Sequence, residues 1–152
     1  MLERSPYGGL EILSDKIILK GRKIVGGLAE GEALVTRQGI DCHGGVDPRT
    51  GVIIERRHEL RGEAVKDKIL VFPYGKGSSG WARQFYYLCS TYGNSPKAII
   101  LKRLMEMVVV GAIATRTPMI CCSDPDPTVV IKTGDTVRVD ANKGTIEVSR
   151  KH

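Results

Sequence analysis

A chain of 152 residues with 41% hydrophobic and 26% charged side chains has one domain's length and an ordinary globular balance, which excludes disordered and fibrous classes. No apolar run approaches the roughly 18 residues of a spanning helix, and MLERSPYGGLEILSDK at the amino terminus lacks the regions of a secretory signal, so a cytoplasmic protein without a membrane partner is expected. The net charge of +6 suggests an acidic counterpart, which by charge alone could be nucleic acid, an anionic small molecule or an acidic protein surface, with a merely solvated basic surface as the bland reading. Nucleic acid is not expected as a partner, because aromatics are only 5% of the chain and three of them crowd into Phe85-Tyr86-Tyr87, leaving few stacking platforms among the basic residues.

In chain order, DKIILKGRKIVGG (15–27) reads as β-branched strand broken at Lys20-Gly21-Arg22, and GEALVTRQG (31–39) as a second short strand. The stretch that follows carries Gly44-Gly45, Asp47-Pro48 and Gly51 around one short apolar run, Val52-Ile53-Ile54. It predicts a long ordered loop, of the kind that more often serves function than mere connection. Asp47 is read as a turn former bonding local amides ahead of Pro48. The texture then changes: KILVFPY predicts a buried strand, residues 79–92 a helix, KAIIL a strand, LMEMVVVGAIA a short helix and TPMICC a strand. That alternation implies an α/β core with parallel pairing. CCSDPDPT reads as a loop stiffened by Pro125 and Pro127. TVVIKTGDTVRVDANKGTIEVSRKH reads as alternating strands with a hairpin turn at Asn142-Lys143-Gly144.

Cys42, Cys89, Cys121 and Cys122 form no C-x-x-C pair, and neighbours on a strand point to opposite faces, so core thiols are expected rather than metal ligands. Trp81, Phe85 and Leu88 recur at helical spacing and predict a core face. Arg83 lies one turn into that helix, open either to solvent or to an anion.

The sharpest local signal is VFPYGKGSSG. A buried strand ends at Pro73, Gly75 and Gly77 allow a sharp bend, and Ser78 or Ser79 occupies a helix N-cap position. Free amides at such a bend favour negative charge. The order of residues does not match a P-loop, because Lys76 is followed by glycine, and Gly75-x-Gly77-x-x-Gly80 lacks the second half of a dinucleotide fold. A bare strand stop with a helix cap remains the alternative.

Four segments in order, GRKIVGGLAEGEALV, GGVDPRTGVIIERRHELRGEAVKDKILVFPYGKGSSG, SPKAIIL and VVVGAIATRTPMI, resemble the small, swivel-domain subunit of the aconitase X family. The resemblance runs from about residue 17 to the end of the chain. It implies an α/β aconitase-like swivel domain, a β/β/α barrel-like sandwich with a mixed sheet, spanning residues 1–152 as one unit, with 1–15 as a loosely ordered extension. It implies a hydro-lyase in which this domain closes on a larger subunit, with an iron–sulfur cluster on that partner and none on this chain. Family activities include dehydration of mevalonate 5-phosphate, favoured here because separate short chains suit that two-subunit arrangement, and of cis-3-hydroxy-L-proline; a non-catalytic binding module is a further alternative. The family's catalytic serine falls on Ser78, and Lys76 with the backbone of Gly77 and Ser79 would contact the anionic substrate. Asp41-Cys42-His43 departs from the aromatic expected before Gly44-Gly45. His43 is read as a surface or structural histidine, with a role in the pocket as the alternative.

Overall fold

The computed structural model describes residues 9–13 and 15–150. Among the described residues nine strands form one mixed sheet: β1 (Gly9–Leu13), β2 (Lys16–Lys20), β3 (Arg22–Val25), β4 (Leu28–Val35), β5 (Ile69–Phe72), β6 (Ala98–Leu101), β7 (Met119–Cys121), β8 (Thr136–Asp140) and β9 (Thr145–Ser149). The ladder order is β1-β2-β9-β8-β4-β5-β6-β7-β3. Strand β4 is the pivot. Its first half pairs antiparallel with β8, and its second half, Ala33–Val35, pairs parallel with β5. The neighbours β5, β6 and β7 continue in parallel, as the strand–helix alternation predicts.

Strands β2 and β3 lie far apart in that order, yet only Gly21 separates them in the chain. A single residue spans a few ångströms, so the sheet must curl back on itself like a barrel. The Gly21 amide donates to the Gly144 carbonyl at 2.8 Å. A Cβ on Gly21 would sit 2.5 Å from Ile120 Cγ2, so closure at this corner needs glycine. The expected hairpin joins β8 to β9, with Gly144 at φ +75°.

Strands β5 and β6 are buried along their whole length and feed two cores. Leu70, Phe72, Ile99 and Leu101 point to one face, where they meet Trp81, Phe85, Leu88 and Val108. Ile69, Val71, Ala98 and Ile100 point to the other, inside the curl with Val137, Val139, Ile146 and Val148. Period-two alternation with both faces covered explains the unbroken apolar runs of these strands. Each fully buried large apolar side chain contributes about 1.5–3 kcal/mol.

Helix α1 (Gly80–Tyr86) passes into a π-helical turn over Tyr87–Thr91 and packs on α2 (Glu106–Thr115). Two expectations need correction. Residues 9–13, read as part of a loose extension, form β1 in full register with β2; residues 1–8 lie outside the described residues. Thr128-Val129-Val130, read as strand, belongs instead to α3 (Pro127–Val130). The Asp126 carboxylate accepts from the Thr128 amide at 2.9 Å and its hydroxyl at 2.7 Å, and Pro127 opens the helix, so cap and proline together outweigh β-propensity. The preceding Asp124–Pro125 peptide is cis. Among the described residues, no helix is long and apolar enough to cross a membrane.

Candidate functional site

The loop 73–79 leaves the carboxyl end of β5 and is held from below by residues 39–43. The Ile40 amide donates to the Tyr74 carbonyl at 3.1 Å, and the Lys76 amide to the Ile40 carbonyl at 2.9 Å. The same Ile40 carbonyl accepts from Trp81 Nε1 at 3.0 Å. Gly75 lets the loop sink onto α2, where a Cβ would lie 2.5 Å from Val108 Cγ2. Gly77 turns at φ +104°, against the Asp41 carboxylate, which a Cβ there would meet at 2.6 Å.

This bend lifts Ser78 to the surface, with Gly77 and Ser79 exposed beside it. Ser79 precedes α1 but makes no capping bond with its side chain. The capping is done by Ser78, whose Oγ accepts from the Gly80 amide at 3.3 Å and whose carbonyl accepts from the Trp81 amide at 3.0 Å. The Gly77, Ser78 and Ser79 amides make no bond to any described residue, as expected for donors at a helix start. Lys76 is already paired: its Nζ stands 2.5 Å from Glu55 Oε1.

A cleft of about 380 Å³ runs between Lys76, Gly77 and Ser78 on one side and Leu104, Met105 and Glu106 on the other, with Trp81 at its base. Behind Lys76 a recess of about 300 Å³ is lined by Arg37, Arg57, His58 and Tyr74. His58 there is structural. It is 6% exposed, and its ring bridges the Gly39 carbonyl (Nε2, 3.1 Å) and the Leu60 amide (Nδ1, 3.0 Å).

His43 lies on the surface, as expected, and its ring faces Ser78. Its Nδ1 lies 3.4 Å from Ser78 Oγ. The only advance signal is its place beside Gly44-Gly45; nothing in the spacing, 35 residues from Ser78, announces the contact. Asp47 is a turn former as expected, with Oδ1 accepting from the Arg49 amide at 3.0 Å. Arg83 is exposed on α1, away from the residues lining the cleft. Trp81, Phe85 and Leu88 are core, 3%, 2% and 1% exposed.

The four thiols are free. Burial pushes Cys89 up to about 12 and Cys122 up to about 11, and it raises Cys42 and Cys121 as well. Thiols held protonated are poor nucleophiles. Among the described residues no three His, Cys, Asp or Glu side chains converge as a metal site would require, so these residues do not fit an iron–sulfur cluster.

Residues 18–148 match the family model of the aconitase X swivel domain. The chain belongs to that family. Over 130 residues it is 48% identical to the phosphomevalonate dehydratase small subunit of Thermococcus sibiricus, covering 86% of this chain and 97% of that one. It is 42% identical over 135 residues to the corresponding subunit of Methanosarcina mazei, covering 89% and 93%. The crystal structure of Thermococcus kodakaraensis aconitase X in its holo form superposes with a TM-score of 0.82 at 43% identity, covering 88% of this chain and 98% of that one. The nine-stranded α/β architecture is thus that of the aconitase X swivel domain, as the motif order implies.

Proposed function

We propose that this swivel domain is the small subunit of a hydro-lyase that dehydrates mevalonate 5-phosphate together with a larger subunit, and that Ser78 is its base. What supports the reading most is the agreement between relatives named phosphomevalonate dehydratase small subunit and a serine hydroxyl standing at the mouth of a cleft on a glycine-built bend. The hydroxyproline and binding-module alternatives gain no support from these relatives.

In this reading Ser78 Oγ, as the alkoxide, takes the proton from the carbon adjacent to the one bearing the hydroxyl. The C–H pair forms the double bond and hydroxide departs. The Gly80 amide, which donates to Ser78 Oγ at 3.3 Å, stabilises the negative oxygen, and Lys76 with the Gly77 and Ser79 backbone contacts the anionic substrate. Ser78 and His43 are both exposed, and an alkoxide in contact with water has little catalytic value. A second subunit must therefore cover the site. Leu104 and Met105, 40% and 39% exposed at the cleft, are apolar surface that such a partner would bury. The iron–sulfur cluster of the family belongs in this reading to the larger subunit, and no step above depends on it.

The test is anaerobic co-production with the large subunit, followed by dehydration of mevalonate 5-phosphate by the wild type and by Ser78→Ala. Turnover lost in the variant with the complex intact is the expected result; equal turnover in both rules out the serine base.

A further inference from the structure

A serine hydroxyl is a base only after losing its own proton. We propose that His43 Nδ1 receives that proton, making His43 a second catalytic residue of this chain; the proposal rests on the reading of Ser78 as the base. The O–H bond of Ser78 breaks as the N–H bond of an imidazolium forms. The oxygen keeps the electron pair, and it then takes the substrate proton. The substrate proton stays on Ser78 as its new hydroxyl hydrogen, and loss of the imidazolium proton, which with the departing hydroxide makes one water, resets the pair.

The geometry favours this direction. Ser78 Oγ accepts from the Gly80 amide, which leaves its own hydrogen free to donate toward Nδ1 at 3.4 Å. Apo contacts of this length commonly tighten when a site is loaded. The acceptor role requires the neutral ring to carry its hydrogen on Nε2.

Two features place the loop that carries His43, and a third makes room for its ring. The Asp41 carboxylate accepts from the His43 amide at 2.9 Å, fixing the turn from which the ring projects. Gly80 has no side chain, and a Cβ there would stand 2.4 Å from His43 Nδ1, so this glycine is the space the imidazole occupies. The bonds of Ile40 with Tyr74, Lys76 and Trp81 lock the two loops together. Asp41 also abuts Gly77, placing a carboxylate in the turn where the imidazolium would form.

The test has two arms. In the first, imidazole nitrogens of the full chain are observed by NMR in the wild type and in Ser78→Ala, with His43→Gln supplying the assignment. The expected result is a neutral His43 protonated on Nε2 whose Nδ1 resonance moves in Ser78→Ala while that of His58 stays; an Nδ1 that does not move overturns the proposal. In the second, the complex with the large subunit is assayed on mevalonate 5-phosphate. His43→Gln should lower kcat by about 100-fold, within the range of general base catalysis, with KM changed by no more than about twofold. Added imidazole should partly restore His43→Ala. The double variant His43→Gln, Ser78→Ala should be no slower than Ser78→Ala alone, as for groups that act as a unit. A kcat within about twofold of wild type in His43→Gln overturns the proposal. Should the wild-type complex leave mevalonate 5-phosphate unchanged, the substrate assignment fails, and the NMR arm alone then decides whether the His43–Ser78 contact stands.

Discussion

Lys76 Nζ and Glu55 Oε1 stand 2.5 Å apart, tying the cation of the GKGSS loop to the long loop that precedes β5. The pair is partly exposed, so it contributes at most about 1 kcal/mol to stability. Its larger consequence is positional, because it parks the ammonium at the boundary between the cleft and the basic recess. Lys76→Met is expected to raise KM for the phosphorylated substrate about 10-fold or more, the size of one charge-assisted hydrogen bond. Glu55→Gln, which frees the cation, should lower KM. Steady-state kinetics of the complex decide the matter, and an unchanged KM in Lys76→Met removes that lysine from substrate binding.

Trp81 joins core and site in one side chain, stacked on Phe85 with ring centroids 5.2 Å apart and bonded to the Ile40 carbonyl. Trp81→Phe keeps much of the packing but leaves that carbonyl without its indole partner. The Lys76 amide still donates to that carbonyl, so the expected loss in urea unfolding is about 0.5–1.5 kcal/mol, the net contribution of one hydrogen bond. Activity should fall as well, since Ile40 anchors the loop that carries His43. A variant as stable and active as wild type contradicts this account.

Gly75→Ala tests the close approach of loop and helix. The new methyl would meet Val108 Cγ2 at 2.5 Å and Trp81 Nε1 at 3.2 Å, and overpacking of this kind costs about 1–3 kcal/mol. At Gly44 a Cβ meets nothing within 4 Å, so Gly44→Ala carries only the penalty of a positive φ, about 1–2 kcal/mol. Thermal melts of the two variants should place Gly75→Ala lower.

The buried thiols set an alkaline limit. In the unfolded chain they titrate near 8.5, whereas folding holds Cys122 up at about 11 and Cys89 at about 12. The folded state therefore keeps protons that the unfolded state loses, and stability falls as pH rises from about 8.5 through those values. Denaturant midpoints at pH 7, 9 and 10.5 should decline in that order, and Cys89→Ala should flatten the decline. Native thiols should also resist alkylation at pH 8 until denaturant is added; rapid modification of the folded chain would contradict their burial.

The β-branched runs of β2, β5 and β6, the strand–helix alternation after residue 68 and the turn at Gly144 were legible in the sequence because each depends on local periodicity or on one residue's backbone freedom. Thr128–Val130 was misread for a related reason: three β-formers in a row outweigh, on inspection, a cap and a proline that lie just before them. The bend at GKGSS and the serine that emerges from it were visible too, since Gly75 and Gly77 state their purpose within a few residues.

By itself, then, the sequence determined the local elements, the parallel pairing of the core and the serine-bearing bend, all set by interactions between near neighbours. Only the tertiary structure decided which residues face that serine. Curling the sheet through Gly21, bridging Ile40 to Gly75 and leaving Gly80 bare bring His43 to Ser78 and Glu55 to Lys76 across 35 and 21 positions of chain. Contacts of that span arise when two distant loops are packed against one helix, and no periodicity within either loop encodes them.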